Sequence, residues 1–166
     1  MDEIIFKFIN NFAGQNQTLD YVGIFFAEYL FFVLVGLVIV LWLYKSLSNR
    51  NVSLAFVSVL VIKLLAEGLK HLIDRPRPFT VMDVNQLIER ESGLSFPSGH
   101  TMVLFALAFS FYGTRWFWPF IVLASLGSLA RVFVGVHYIT DILGGIVIAA
   151  LVVWGLKILF KKRFLV

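Results

Sequence analysis

Long apolar runs separated by short polar clusters make up most of this chain. Five runs approach the roughly 20 residues a helix needs to cross a bilayer. They cover residues 21–44, 52–69, 98–112, 116–136 and 141–160. The third is short for a span, which puts its end in the headgroup region. Near the N-terminus, Ile4, Ile5, Phe8, Ile9 and Phe12 recur at helical spacing, with Lys7, Asn10 and Asn11 between them. That pattern predicts a helix lying on the membrane. Residues 81–90 are expected to form a second such piece. No internal repeat is visible. The expected fold is an all-α membrane protein, one domain over residues 1–166. It is a bundle of about five or six transmembrane helices with one or two interfacial helices.

Composition explains why lipid is needed. Of 166 residues, 60% are hydrophobic. A soluble domain is about 45–50% apolar even with glycine counted, and a small interior cannot hide the excess. The absence of cysteine excludes a disulfide framework and a thiolate metal site. A formal net charge of +4 is a weak nucleic-acid signal, and no nucleic acid is expected as a partner. Met1, Asp2 and Glu3 put acid where a secretory signal has a basic region, so no such signal is expected.

The position of the charges says more than their sum. Lys45, Arg50, Arg115, Lys161, Lys162 and Arg163 fall on the side of the C-terminus, with no acid among them. Asp2, Glu3, Asp20, Asp74, Asp83, Glu89, Glu91 and Asp141 fall on the other side. So do Lys7, Lys70, Arg75, Arg77, Arg90 and Arg131. The two basic counts are nearly level. Basic residues retained inside set the orientation, so the rule decides only when the chemically engaged cations Lys70, Arg77 and Arg131 are set aside. The C-terminus is then cytoplasmic, and the N-terminus faces the extracytoplasmic space of a plasma membrane.

Three polar clusters share that extracytoplasmic side. They are Lys70 to Pro78, Phe96 to Thr101, and Arg131 to Asp141. The third and fourth runs form a hairpin that returns the last cluster to the membrane face of the first two. Ionisable groups at membrane depth are costly and mark a site with a partner. Lys70, Arg77 and Arg131 together call for an anion, and arginine's planar fork suits phosphate oxygens. Ser98 is a good N-cap, and Gly99 lets a ligand approach the backbone of a helix start. His137 and Asp141 are four apart and share one helical face. A carboxylate against one imidazole nitrogen leaves the other as a nucleophile. His100, from another helix, is the natural proton donor to a leaving oxygen.

These residues resemble the signature of the phosphatidic-acid-phosphatase type 2 family. Its first motif is Lys, six residues, then Arg-Pro, here Lys70, Arg77 and Pro78. The second, Pro-Ser-Gly-His, is Pro97 to His100. The third is Ser-Arg, five residues, His, three residues, Asp, here Arg131, His137 and Asp141 with Ala130 in the serine's place. The match spans residues 70–141. It implies a phosphatase that uses no metal or cofactor. His137 attacks phosphorus to form a phosphohistidine, and Asp141 orients it. His100 protonates the leaving group and then deprotonates water. Lys70, Arg77, Ser98, Gly99 and Arg131 hold the phosphate oxygens.

Other polar residues have simpler readings. His71 is most simply a headgroup contact, and Asp74 and Arg75 a solvated turn. Lys63 and Glu67, four apart, suit a neutralised intramembrane pair; alternatively Glu67 positions Lys70. Glu28 either snorkels to the surface or lines the substrate mouth. Leu19-Asp20 and Glu28-Tyr29 resemble the start of the bacterial undecaprenyl-diphosphate phosphatases of this family. Phe31-Phe32 and Trp116-Phe117-Trp118 read as bilayer surface and interfacial belt, and Phe105, Phe109 and Phe111 need not form a lipid-tail groove. The expected partner is a phosphorylated membrane lipid in the bilayer. Undecaprenyl diphosphate, recycled as a carrier for cell-envelope synthesis, leads. A glycerolipid such as phosphatidylglycerophosphate or phosphatidate is the alternative, and a non-catalytic lipid transporter or flippase is the alternative of another class.

Overall fold

The computed structural model describes residues 1–89 and 93–163, without the side chains of 161–163. In order come α1 (Asp2–Asn10), α2 (Gln17–Ile24), a π-helical turn (Phe25–Tyr29) and α3 (Leu30–Leu43). They are followed by α4 (Asn49–Ile73), α5 (Pro78–Val81), α6 (Gly99–Ser110), α7 (Phe117–Phe133) and α8 (Ile139–Arg163). Among the described residues there is no strand, only an antiparallel bridge between Pro76 and Leu94.

All five apolar runs are helical. Gln17–Leu43, Asn49–Ile73 and Ile139–Phe160 are each long and apolar enough to cross a membrane, whereas α6 and α7 are shorter apolar helices. At 1.5 Å per residue, α6 extends only about 18 Å, well short of a hydrocarbon core of about 30 Å. It lies in the middle of the bundle. It packs against α4, α7 and α8, and every residue from Thr101 to Ala108 is buried. A helix surrounded on all sides needs no polar face. Phe105 and Phe111 belong to this core. Leu60 and Leu64 of α4 and Leu151 and Trp154 of α8 point outward and present the apolar exterior.

Local chemistry sets the helix ends near the site. Lys70 and His71 occupy the last turn of α4, where a helix favours cations. Asp74 then adopts a left-handed conformation (φ 49°), and the following Arg75-Pro76 cannot resume the helix. Ser98 caps α6, its hydroxyl accepting from the Thr101 N–H at 3.4 Å. The approach to α6 lies against α8 at Gly144 and Gly145. A Cβ on Gly144 would sit 2.3 Å from the Phe96 ring, and one on Gly145 3.2 Å from the Ser98 carbonyl oxygen.

The N-terminal helix forms as its spacing predicts, with Ile4, Ile5, Phe8 and Phe12 exposed. Its opposite face is not free. Phe6 is fully buried and packs on Tyr138, ring centroids 5.6 Å apart. Residues 82–89 do not form the expected second interfacial helix. Their backbone groups are satisfied elsewhere. The Asn85 N–H donates to Asn10 Oδ1 at 2.9 Å, Asn10 Nδ2 donates to the Asn85 carbonyl at 2.9 Å, and the Leu87 N–H donates to the Val134 carbonyl at 3.2 Å. Arg90, the end of that expected piece, and Glu91 lie outside the described residues.

Candidate active site

Four helix ends bring the polar clusters together. Lys70 comes from the end of α4 and Arg77 from the segment after it. Gly99 and His100 open α6, Arg131 closes α7, and His137 lies in the turn between α7 and α8. All six line one cavity of about 390 Å³. Lys63 and Glu67 also reach it, and Phe31, Phe32, Ile62, Ala66 and Val103 form its apolar wall. Phe32 is exposed on the outer surface as well, so it borders both the cavity and the apolar exterior of the bundle.

His137 is buried, and Asp141 lies behind it, fully buried at the start of α8. His137 Nδ1 is 3.3 Å from Asp141 Oδ2. The same oxygen accepts from the Tyr138 N–H at 2.8 Å and from the Ser95 hydroxyl. Oδ1 accepts from Arg75 Nη1 at 2.8 Å. A carboxylate so held is a fixed acceptor. A proton on Nδ1 then leaves the Nε2 lone pair for chemistry. Burial drives the His137 pKa from 6.5 to about 4; the Asp141 hydrogen bond raises it, and Arg131 and Arg77 lower it further. The imidazole is therefore neutral at pH 7.

The start of α6 divides two tasks. Ser98 is fully buried, and its hydroxyl accepts from the Thr101 hydroxyl at 3.1 Å as well as from the Thr101 N–H. It organises the helix start behind the cavity. Gly99 faces the cavity, and a Cβ there would meet nothing within 4 Å. That open space leaves room for an anion against the first turn.

This geometry agrees with a comparison of the whole chain with known proteins. The PAP2 superfamily matches residues 51–165. The chain belongs to that superfamily. It is 34% identical over 152 residues to the bacitracin transport permease protein BcrC of Bacillus licheniformis, covering 88% of this chain and 74% of that protein. It is 29% identical over 158 residues to the undecaprenyl-diphosphatase BcrC of Bacillus subtilis (strain 168), covering 92% and 80%. Its fold is similar to that of Aquifex aeolicus LpxE, with a TM-score of 0.79 at 28% identity, covering 97% of this chain and 94% of that one. The chain is a membrane-embedded PAP2 lipid phosphatase.

Several side chains of this PAP2 phosphatase depart from their simplest sequence readings. Asp74 is exposed, but Arg75 is not part of a solvated turn. Its guanidinium bridges Asp141 at 2.8 Å and Asp2 at 2.6 Å and lies over the Tyr138 ring at 4.1 Å. Glu28 is partly buried and is not among the residues lining the cavity. It sits in the π-helical turn and pairs with Arg131 at 2.5 Å; such turns recur at functional sites. Arg131 also donates to the Ala27 carbonyl at 3.0 Å. Glu67 pairs with Lys70 at 2.9 Å. His71 is exposed and does not line the cavity. Phe31 and Phe32, read as bilayer surface, form part of the cavity wall.

Proposed function

We propose that this PAP2 phosphatase hydrolyses undecaprenyl diphosphate at the extracytoplasmic membrane surface through a phosphohistidine on His137. The observation that carries the reading is the two-sided cavity. His137, His100, Lys70, Arg77 and Arg131 meet there with an apolar wall whose Phe32 also faces the bundle exterior. A lipid can place its phosphates among the cations while its chain stays in the bilayer. The name of the Bacillus subtilis relative supports the choice of lipid.

In the proposed mechanism, His137 Nε2 attacks the terminal phosphorus. The bond from that phosphorus to the bridging oxygen breaks, and His100 donates a proton to the departing undecaprenyl phosphate. His100 then takes a proton from water, which attacks the phosphohistidine. Inorganic phosphate leaves and His137 is restored. Lys70, Arg77, Arg131 and the Gly99 backbone balance charge on the equatorial oxygens, with Ser98 fixing the helix start that presents Gly99. Asp141 holds the His137 tautomer and stabilises its cationic form. An extracytoplasmic site is supported by charge. With Arg75 also engaged at the site, Lys7 and Arg90 are the remaining basic residues on that side, against six on the other.

The test is a substrate panel. The purified protein in detergent with EDTA is given undecaprenyl diphosphate, phosphatidylglycerophosphate and phosphatidate, and kcat/KM is compared. We expect undecaprenyl diphosphate to lead by about tenfold or more, a difference within reach of pocket contacts. A glycerolipid in first place overturns the substrate assignment, and loss of all activity in EDTA overturns the metal-free mechanism.

A further inference from the structure

Asp2 lies far from the catalytic turn in sequence but touches it in the fold. Its Oδ2 accepts from Arg75 Nη2 at 2.6 Å and from the Thr140 hydroxyl. Its Oδ1 accepts from the Thr140 N–H at 3.2 Å. Arg75 Nη1 donates to Asp141 Oδ1 at 2.8 Å and to Thr140 Oγ1 at 2.6 Å. Asp2 does not line the 390 Å³ cavity. It lies on the outer side of Arg75, in a separate hollow with Glu3, Ile4 and Tyr138.

We infer that Asp2 is a positioning residue for the His137–Asp141 pair, acting through the Arg75 guanidinium. The inference rests on the reading of His137 as nucleophile. Two carboxylates share one guanidinium, so the group behind His137 carries one net negative charge. Without Asp2 the Arg75 charge cancels that of Asp141, and the imidazolium that forms during phosphoryl transfer loses support. Asp2 also clamps Arg75 against the first turn of α8, through Thr140, next to Asp141. Burial opposes the ionisation of Asp2, but hydrogen bonds from Arg75 and Thr140 outweigh it and hold the carboxyl below its usual range.

Other charges around His137 stay constant in the comparison. Lys70, Arg77, His100 and Arg131 line the same cavity, with Glu67 beside Lys70. Glu28 pairs with Arg131, and Glu3 lies near Tyr138. Their effect is common to all the variants below.

The experiment compares Asp2→Asn, Asp2→Glu, Arg75→Gln and the double variant Asp2→Asn/Arg75→Gln in the full chain. It uses the most rapidly hydrolysed lipid of the panel and reads pH–rate profiles, kcat and KM. Asp2→Asn is expected to lower kcat about tenfold, the worth of one charge-assisted hydrogen bond, with KM within about twofold. Its acid limb moves to lower pH, because a lost negative charge disfavours the imidazolium. Arg75→Gln leaves two uncompensated carboxylates and moves the limb to higher pH. Asp2→Glu restores most of kcat. In the double variant kcat matches that of Arg75→Gln, since Asp2 acts through Arg75, while the acid limb returns toward wild type, because Asp141 again leaves one net negative charge behind His137.

An Asp2→Asn profile superimposable on wild type, or one altered only in melting temperature, overturns the inference. So does strict additivity of the two kcat losses in the double variant. If Arg75→Gln fails to fold, the Asp2→Asn and Asp2→Glu profiles decide. His137→Ala separates the two claims. Activity surviving in it removes the nucleophile reading, whereas an inactive His137→Ala beside an unshifted Asp2→Asn removes only the role of Asp2.

Discussion

Replacing Asp141 by Asn keeps the shape of the most enclosed acid in the site and removes its charge. Asp141 is fully buried and accepts from Arg75, Ser95 and the Tyr138 N–H, with His137 Nδ1 at 3.3 Å. An amide has one accepting oxygen. If that oxygen stays toward Tyr138 and Ser95, its NH2 group faces the Arg75 donor. If it turns, the NH2 faces His137 Nδ1 and forces the proton onto Nε2, which loses its lone pair. Breaking a buried charge pair costs about 3–5 kcal/mol. Arg75 is partly exposed and keeps Asp2, so a discount for solvent screening brings the expected loss to about 2–3 kcal/mol. That corresponds to a fall in melting temperature of roughly 5–10 °C. An Asp→Asn change behind a general-base histidine costs about 10⁴ in kcat. In the proposed mechanism the histidine is itself the nucleophile, so a loss of at least about 10³ is expected. The assay pairs phosphate release with thermal unfolding in detergent. A variant within tenfold of wild type and unchanged in melting temperature refutes the reasoning.

Stability should depend on pH through His137. Its folded pKa is about 4, below the unfolded value of about 6.5. Between those values the unfolded chain binds a proton that the folded chain does not. The contribution is complete above about pH 6.5 and is lost as pH falls toward 4, up to roughly 3 kcal/mol. Melting curves from pH 7.5 to 4 should fall for wild type and flatten for His137→Gln; parallel curves contradict this. Glu67→Gln releases Lys70 from its 2.9 Å partner and should lower kcat/KM by about three- to tenfold with little change in melting temperature. Retained activity with reduced stability makes the pair structural.

How much was legible in the sequence follows from the range of each interaction. The five apolar runs became helices because lipid and core both demand apolar helical surface, and period and length suffice to see it. Convergence of Lys70, Arg77, His100, Arg131 and His137 followed from the up-and-down order of those helices. The His137–Asp141 pair is separated by only four residues. Arg75, Asp2 and Ser95 were not visible, because their partners lie 46 to 138 residues away and nothing in their neighbourhoods names them. Arg75, the additional arginine ahead of Arg77 in Asp74-Arg75-Pro76-Arg77, was the one available hint. The helix expected over 81–90 failed because hydrophobic spacing does not register competing backbone partners, here Asn10 and Val134. The inward turn of Phe6 was hidden for a related reason. Its neighbours Ile4, Ile5 and Phe8 mark the exposed face, and only the Tyr138 ring reveals the other.

The central claim is that a phosphoryl group passes through His137. The most direct test is a rapid acid-free quench of the enzyme mixed with undecaprenyl diphosphate labelled with ³²P at its terminal phosphate. A phosphohistidine on His137 predicts radiolabel bound to protein, stable to alkali and lost in acid, mapping to His137 and absent from His137→Ala. Label on another residue, or turnover by His137→Ala at a rate near wild type, contradicts it.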